Sequence, residues 1–350
     1  MTAHARETEE RLVPAQAPAE GTDPDELRDW LERRIPAILG RSASISHIET
    51  QRCRNASSYG ADIVTVHLDT GSDFRLFLKD FGSSGFSKND PARRRERERH
   101  AYEEILKSAA LGTPQCYGSI WDDSRGRFWL LLEFVEGQEL RAAEFEYWIL
   151  AAAWLGRLHG RFSQQPDALD ACDCLIHHDA DFFLATAERA LRDVSQISAS
   201  LARRLATVLN GHDALVTVMT RQPKTLLHGH YRPCNIVVDV TANPVRVCPV
   251  DWEQAAIGSG FYDLAFLVDG FEPLRLNCLV EAYRQQALAH HLAVPDAEEI
   301  RYIVHAFGLF NAVNRLSRAR ERGWSDAKVA RGVARIETVY QLVAANTRGN

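Results

Sequence analysis

The hydrophobic pattern of this chain changes its period near residue 135, and this change restricts the possible folds more than any other feature. Before it, apolar and polar residues alternate in five short segments: ISHIETQRC, DIVTVHLD, DFRLFLKDF and the stretches around 115–121 and 128–134. Such alternation is typical of β-strands that bury one face. After it, helical spacing prevails, apart from one hairpin made of NIVVDV, the turn TANP and VRVCPV. We therefore predict an α+β fold with two lobes, a small antiparallel sheet with one helix followed by a larger, mostly helical lobe.

The sequence divides into three predicted segments. Residues 1–22 are rich in Ala, Pro, Glu and Thr and have too few large apolar side chains to offset the entropy of ordering, so we expect a disordered tail. The first lobe is expected at 23–134, opening with a helix that Asp23 caps and Pro24 begins. The second lobe is expected at 135–350.

The composition argues against several kinds of partner. The formal net charge is −6, so the chain lacks the overall positive field that drives nonspecific nucleic-acid binding. No stretch is apolar over the roughly 18 residues that a membrane-spanning helix needs, and the first residues lack the apolar core of a signal peptide. The seven cysteines are scattered and odd in number, as expected for reduced thiols. We therefore expect a cytoplasmic protein with no nucleic-acid or membrane partner.

Cys172, Cys174, His177 and His178 cluster in the sequence and invite a metal-site interpretation. However, C-x-C followed by two histidines matches no standard zinc spacing. We interpret them as packing or surface residues.

The octet HGHYRPCN at 228–235 and the triplet DWE at 251–253 flank the predicted hairpin. Asp251 follows Asn235 by 16 positions, and two strands joined by a tight turn bring their outer ends side by side. An amide oxygen and a carboxylate then lie within reach of one ion, and Mg²⁺ prefers such ligands. The sequence therefore predicts that Asn235 and Asp251 hold Mg²⁺. For either residue alone, a turn Asn or a helix-capping Asp is the alternative.

With these motifs in this order, the chain resembles the aminoglycoside phosphotransferase and choline kinase-like family, which has a protein-kinase-like fold. The family's H-G-D-x-x-x-x-N loop aligns with HGHYRPCN, its D-W/F-E segment with DWE, and its D-L-A segment with the triplet that starts at Asp263. The resemblance extends from about residue 45 to 268. It implies ATP-dependent phosphate transfer with Mg²⁺. One position departs from the pattern, because His230 stands where the family loop has aspartate.

The resemblance assigns phosphate binding to the first lobe. Lys79 in LFLKDF matches the family's strand-3 lysine, which holds the α and β phosphates. Its partner would be a glutamate on the following helix. We expect Glu98, since Tyr102 follows it on the predicted core face, and Glu96 and Glu103 remain alternatives.

Two further segments complete the nucleotide site that the resemblance implies. The loop at 55–60, with Ser57 and Ser58, matches the loop that covers the phosphates. In LLLEFVEG, main-chain groups of Glu133 and Val135 would bind adenine.

The catalytic loop supplies the predicted catalytic residues, His230 and Arg232. In the family, aspartate orients the acceptor hydroxyl and takes its proton late. Imidazole, with an unperturbed pKa of about 6.5, can also accept a proton, and a nearby Mg²⁺ would keep it neutral. Arg232 is suited to bind phosphate oxygens bidentately, with a surface loop arginine as the alternative. His228 and Asp263 are expected to be structural.

The acceptor is expected to bind the helical lobe. Residues 301–350 contain nine Lys or Arg and three acids, so a polycationic antibiotic would be repelled there. An anionic or neutral hydroxyl compound, or Ser/Thr of a peptide, fits better, although a solvated helix surface explains most of these arginines. We therefore expect an ATP:alcohol phosphotransferase acting on a small metabolite or natural-product intermediate. The alternatives are a nucleotide-binding pseudokinase and a transferase that moves AMP.

Overall fold

The computed structural model describes residues 24–53, 59–84 and 90–346. The predicted tail at 1–22, the Asp23 cap and the two serines Ser57 and Ser58 lie outside these residues. In the described part, helices α1–α11 span, in chain order, Pro24–Leu39, Pro91–His100, Phe145–Phe162, Pro166–Asp170, Ala180–Ile197, Ala199–Leu209, His212–Thr220, Phe261–Leu267, Pro273–Ala289, Ala297–Leu316 and Asp326–Asn346. Strands β1–β11 span Ile45–Arg52, Tyr59–Leu68, Asp73–Ser84, Cys116–Asp122, Arg127–Glu133, Gln138–Glu139, Ile176–His177, Lys224–Leu227, Ile236–Asp239, Arg246–Pro249 and Ala256–Ser259. The predicted α+β class is confirmed.

The chain forms two compact units, and the hairpin that the sequence places in the second lobe groups with the first unit. Arg246 of this hairpin explains the grouping. Its guanidinium donates to the Glu133 carboxylate at 2.6 and 2.8 Å and to the carbonyl oxygen of Gly112 at 2.8 Å. The described residues of the first unit fall in Met1–Gln138 and Val237–Glu253, and those of the second in Glu139–Ile236 and Gln254–Asn350.

The first unit is built on an antiparallel sheet with the strand order β1-β2-β3-β5-β4. Helix α1 begins at Pro24, whose missing N–H costs nothing at a helix start, and two acids in its first turn favour the helix dipole. Its apolar stripe is buried with one face of the sheet. The members of this core include Leu27, Trp30, Leu31, Ile35, Val64, Val66, Leu76, Leu78, Trp129 and Leu131. The alternation that predicts strands therefore also predicts this core.

Helix α2 buries charged side chains where most helices bury apolar ones. Asp90 caps it by accepting a hydrogen bond from the Arg93 N–H at 3.2 Å. The buried residues on α2 are Arg94, Arg97 and Glu98. A buried charge is stable only when it is paired, so the position of α2 depends on the ionic partners described below.

The second unit is mainly helical. Helices α3 and α9 pack closely where α3 carries glycine: a β-carbon at Gly156 would lie 2.4 Å from the carbonyl oxygen of Tyr283, and one at Gly160 would lie 2.4 Å from Cβ of His290. Helix α10, whose apolar residues are buried, packs against α5, α8 and α11. Of the helices described, none is long and apolar enough to cross a membrane.

A three-stranded sheet in the second unit, ordered β7-β11-β8, is not predicted from the sequence. Strand β11 runs parallel to β7 and antiparallel to β8. These strands have two to four residues, which is too short for an alternating pattern to be visible.

Candidate active site

A buried lysine with two carboxylate partners lies in the first unit. Register places Lys79 on β3 between Ala61 of β2 and Leu130 of β5. Its ammonium donates to the two carboxylate oxygens of Glu98 at 2.6 and 2.8 Å and to Oδ1 of Asp251 at 2.7 Å. Of the three glutamates considered from the sequence, Glu98 is thus the one placed on Lys79 in this structure.

The charges of this cluster depend on one another. Burial lowers the pKa of Lys79, but Asp251 and Glu98 outweigh burial, so the pKa lies above its ordinary value and the ammonium stays charged. Burial raises the pKa of Glu98, Lys79 lowers it and Asp251 raises it, with a net value of about 7. The hydrogen bonds from Lys79 to both acids hold the ammonium in place.

Asp251 itself has a strained backbone. Its φ is 70°, in the left-handed region that non-glycine residues rarely adopt. The flanking residues fix this conformation, since Trp252 is fully buried with its Nε1–H donating to the carbonyl oxygen of Pro249 at 3.3 Å. Strain of this kind costs about 1–3 kcal/mol and is concentrated at functional sites.

Helix α2 also binds the segment that follows Asp251. Arg94 donates to Oε1 of Glu253 at 3.1 Å, and Arg97 donates to the backbone carbonyl oxygen of Glu253 at 2.7 Å. The buried charges of α2 are thus paired, which explains a helix with almost no apolar face. These positioning residues are missed by sequence reasoning, because the Arg/Glu alternation in RERERH resembles a solvated surface.

The same acids meet the requirements of a hard cation. One carboxylate oxygen each from Glu98, Asp251 and Glu253 lies within 4.8 Å of the others. Oxygen ligands suit Mg²⁺. Glu98 and Glu253 are buried with Lys79 and Arg94, whereas the side chain of Asp251 is 30% exposed. Asp251 is therefore the residue of this group best placed to hold a metal ion.

In the second unit, Asp263 braces the loop 228–235. It is fully buried on α8 and accepts hydrogen bonds from the backbone N–H of His228 at 2.6 Å and of Gly229 at 3.0 Å. Gly229 has φ +75°, and a β-carbon there would lie 1.9 Å from the carbonyl oxygen of Gln254. Only glycine fits this position.

Asn235 contacts His230 within this loop. Its Nδ2 donates to the backbone carbonyl oxygen of His230 at 3.0 Å and lies 3.2 Å from His230 Nδ1. A neutral His230 ring whose Nδ1 accepts from this amide carries its proton on Nε2. The Asn235 Oδ1 is turned the other way, where it accepts a weak hydrogen bond from Sγ of Cys234 at 3.6 Å. This orientation leaves an oxygen suited to a metal ion.

Arg232 and His230 share an aromatic neighbour, Phe266. The Arg232 guanidinium carbon lies 5.3 Å from the Phe266 ring centre, and the two rings of His230 and Phe266 are 5.6 Å apart. Burial lowers the pKa of Arg232, and the like charges of Arg315 and Arg322 lower it further. Phe266 is a further residue that sequence reasoning misses.

The remaining predicted residues stay predictions. The N–H of Glu133 donates to the Gln115 carbonyl oxygen at 2.8 Å, and its carboxylate binds Arg246. Adenine binding by main-chain groups of Glu133 and Val135 therefore rests on groups other than that N–H. The pairing of Asn235 with Asp251 around one ion likewise stays a prediction.

In the cysteine and histidine cluster noted in the sequence, the two cysteines contact each other. Sγ of Cys172 lies 2.8 Å from Sγ of Cys174.

The sheet order, the lysine–glutamate ion pair and the braced loop define a protein with a protein-kinase-like fold. Solved structures share this fold over nearly the whole chain. A microcompartment-associated aminopropanol kinase has a TM-score of 0.61 at 14% identity, covering 91% of this chain and 97% of that one. A GDP complex of wild-type aminoglycoside 2′-phosphotransferase IIIa has a TM-score of 0.56 at 17% identity, covering 90% and 98%.

The choline kinase of Cryptosporidium parvum Iowa II is also similar, with a TM-score of 0.58 at 12% identity, covering 93% of this chain and 96% of that chain. No curated protein matches the sequence. The model of the phosphotransferase enzyme family, APH, matches residues 54–301, and the chain belongs to this family. The resemblance read from the motifs is therefore confirmed.

Proposed function

We propose that this protein transfers the γ-phosphate of ATP to a hydroxyl group of a small molecule in the cytoplasm. The observation that carries the proposal is the ammonium of Lys79, held by Glu98 on one side and Asp251 on the other. A cation held by two acids stays charged and is therefore suited to phosphate oxygens, and one of its three N–H donors exchanges a carboxylate for a phosphate oxygen when the nucleotide binds. Family membership and the GDP-bound aminoglycoside phosphotransferase support nucleotide use.

The residues of the two units take different parts in this proposal. Lys79 binds the nucleotide phosphates, and Asp251 and Asn235 supply oxygen ligands to Mg²⁺. Bound Mg²⁺ would neutralise phosphate charge. Arg232 binds the transferred phosphoryl group through its guanidinium. The acceptor oxygen forms a bond to the γ-phosphorus as the bond to the leaving ADP oxygen breaks.

His230 positions the acceptor in this proposal. Because Nδ1 accepts from Asn235, the neutral ring carries its proton on Nε2 and donates a hydrogen bond to the acceptor oxygen. The loose transition state of phosphoryl transfer needs little prior deprotonation of the nucleophile, so the hydroxyl proton leaves to the phosphoryl group or to water. A general base contributes about 10²- to 10⁴-fold, so turnover slower than that of an aspartate enzyme is expected.

The same hydrogen bond favours a second candidate, a nucleotide-binding pseudokinase. A ring whose Nδ1 accepts from Asn235 lacks the proton-accepting atom that an aspartate would provide. In that case the protein binds ATP and regulates a partner without turnover.

Calorimetric titration with Mg-ATP, and with Mg-GTP in parallel, tests nucleotide binding. We expect saturable binding by wild type, and binding roughly 10- to 100-fold weaker by Lys79→Gln, because a charged hydrogen bond contributes about 1.5–3 kcal/mol. The exposed Lys107 provides the matched control, and Lys107→Gln should bind like wild type. No affinity in wild type, or equal affinity in Lys79→Gln, would contradict both candidates.

Turnover separates the two candidates. Release of ADP is measured with a library of hydroxyl compounds for wild type, His230→Ala and His230→Asp. A phosphotransferase shows turnover in wild type that falls in His230→Ala. Equal rates at background in these two proteins, with a gain in His230→Asp, would identify the pseudokinase.

A further inference from the structure

Phe266 lies where α8 meets the catalytic loop, residues 228–235. Asp263, one turn earlier on the same helix, accepts hydrogen bonds from the backbone N–H groups of His228 and Gly229. Residues three apart share a face of a helix, so Phe266 follows Asp263 on the side of α8 that meets the loop. The helix therefore contacts the loop twice, first at its backbone and then at its side chains.

The ring of Phe266 borders the two side chains that the loop contributes to the proposed reaction. The centre of the His230 imidazole lies 5.6 Å from the centre of the Phe266 ring, and the two planes are nearly perpendicular, at 84°. Aromatic rings attract each other in this edge-to-face arrangement. The guanidinium carbon of Arg232 lies 5.3 Å from the same ring centre, within the range of a cation–π interaction. One ring thus contacts both groups.

The Phe266 ring is itself held by aromatic packing. Tyr262, one turn earlier on α8, is buried and packs edge-on against Phe266 at 5.3 Å between ring centres. The ring of Tyr262 contacts in turn those of His178, at 4.4 Å, and Phe307, at 5.9 Å. Side chains that act on a substrate are placed accurately only when their neighbours have rotamers locked by packing. The contact between Phe266 and Tyr262 provides such a lock.

The other contacts of the loop leave freedom that an aromatic neighbour restricts. Asn235 holds one edge of the His230 ring, with its Nδ2 3.2 Å from Nδ1. A hydrogen bond to one edge lets the ring tilt about that edge, and a perpendicular ring beside it opposes the tilt. The side chain of Arg232 is long and flexible, and a guanidinium placed over an aromatic face loses less freedom when it binds phosphate.

From these contacts we propose that Phe266 is a positioning residue for phosphate transfer. Its ring holds the His230 imidazole toward the acceptor oxygen and the Arg232 guanidinium toward the transferred phosphoryl group. The inference rests on the proposed function and adds to it a residue that acts through two others. Misplacing a reacting group by about 1 Å can lower a rate about 100-fold. Phe266 therefore contributes to kcat rather than to nucleotide binding.

Steady-state kinetics with Mg-ATP and the acceptor found in the hydroxyl-compound screen test this role. Phe266→Leu keeps apolar bulk without the ring, and we expect kcat to fall about 10-fold with the KM for ATP within about twofold of wild type. Phe266→Tyr keeps the ring and should retain most of kcat. Phe266→Met, which also lacks the ring, replaces the leucine variant if that variant fails to fold.

Two further variants separate positioning from a general effect on packing. Phe145→Leu is the matched control, because Phe145 is also partly buried and the Arg275 guanidinium carbon lies 4.9 Å from its ring centre. It should leave kcat unchanged. In an Arg232→Gln background, Phe266→Leu should lower kcat by a smaller factor than in wild type, because one of the two positioned groups is already lost. A general packing defect would lower kcat by the same factor in both backgrounds.

NMR of the full chain with isotope-labelled histidine tests the placement without turnover. The ring resonances of His230, assigned by their loss in His230→Ala, lie beside the Phe266 ring and feel its ring current. They should shift in Phe266→Leu and stay near their wild-type positions in Phe145→Leu. Unshifted resonances, or a kcat of Phe266→Leu within about twofold of wild type, would overturn the inference. If no variant turns over, the proposed function fails, and the His230 resonances alone decide whether Phe266 positions this ring.

Discussion

The buried carboxylate of Asp263 offers the sharpest test of how the catalytic loop is held. It accepts hydrogen bonds from two consecutive backbone N–H groups, those of His228 and Gly229, and no solvent reaches it. In Asp263→Asn the side chain keeps one acceptor oxygen and gains an NH₂ group. One backbone N–H therefore loses its acceptor and faces another donor.

The expected loss of stability follows from these two bonds. A hydrogen bond to a charged group contributes about 1.5–3 kcal/mol, and a buried donor left without a partner costs about 1–3 kcal/mol. Part of this is regained because the variant no longer buries a charge. We expect Asp263→Asn to lower the free energy of unfolding by about 2–4 kcal/mol.

Urea unfolding followed by circular dichroism measures this change, and hydrogen exchange of the peptide 224–236 reports directly on the two amides. The matched control is Asp269→Asn, an exposed carboxylate six positions along whose ion pair with Arg335 contributes at most about 1 kcal/mol. A difference between Asp263→Asn and wild type below about 0.5 kcal/mol, with unchanged exchange of the amides, would refute this account of the loop.

Two further outcomes follow from the same unit. Gly229→Ala should be less stable than Gly211→Ala by at least about 2 kcal/mol, as measured by thermal denaturation. Both substitutions incur the strain of positive φ, but only a methyl group at 229 meets the Gln254 carbonyl oxygen. Equal stabilities of the two variants would contradict this. Burial lowers the pKa of His159 and His212, so below an unfolded-state pKa of about 6.5 these two histidines bind more protons in the unfolded chain than in the folded one. Their contribution to stability should therefore be lost as the pH falls below about 6.5, and Glu98, whose pKa is raised, acts in the opposite direction in both wild type and a His212→Gln variant. The change in urea midpoint between about pH 7.5 and 5.5 should therefore differ between wild type and His212→Gln, and an identical change would contradict it.

The choice of Glu98 as the partner of Lys79 shows what the local sequence pattern can predict. Helical spacing alone favours Glu98 over Glu96 and Glu103, because Tyr102 follows it on the same face, and Tyr102 is indeed buried. Glu103 instead accepts a hydrogen bond from the Ser119 hydroxyl at 2.7 Å. A three- or four-residue repeat determines which residues share a helix face, so such a choice can be made without coordinates.

Buried charge on α2 shows where local pattern fails. The run RRRERER has the composition of a solvated helix, yet Arg94 and Arg97 are buried because Glu253, more than 150 positions away in the chain, meets them. The three-stranded sheet of the second unit fails for another reason, since its strands are too short to show a period.

By itself the sequence determined the α+β class, the order of strands and helices in the first unit, and the motifs that place the chain in its family. Period, capping residues and turn residues act over a few positions, and such local preferences are readable from one chain. Tertiary structure alone decided that Lys79 meets Asp251 across 172 positions, that Arg94 meets Glu253, and that Arg232 lies over Phe266. Contacts between distant positions depend on the packing of the whole chain, because Coulomb and hydrogen-bond energies depend on distances in space rather than on separation in sequence.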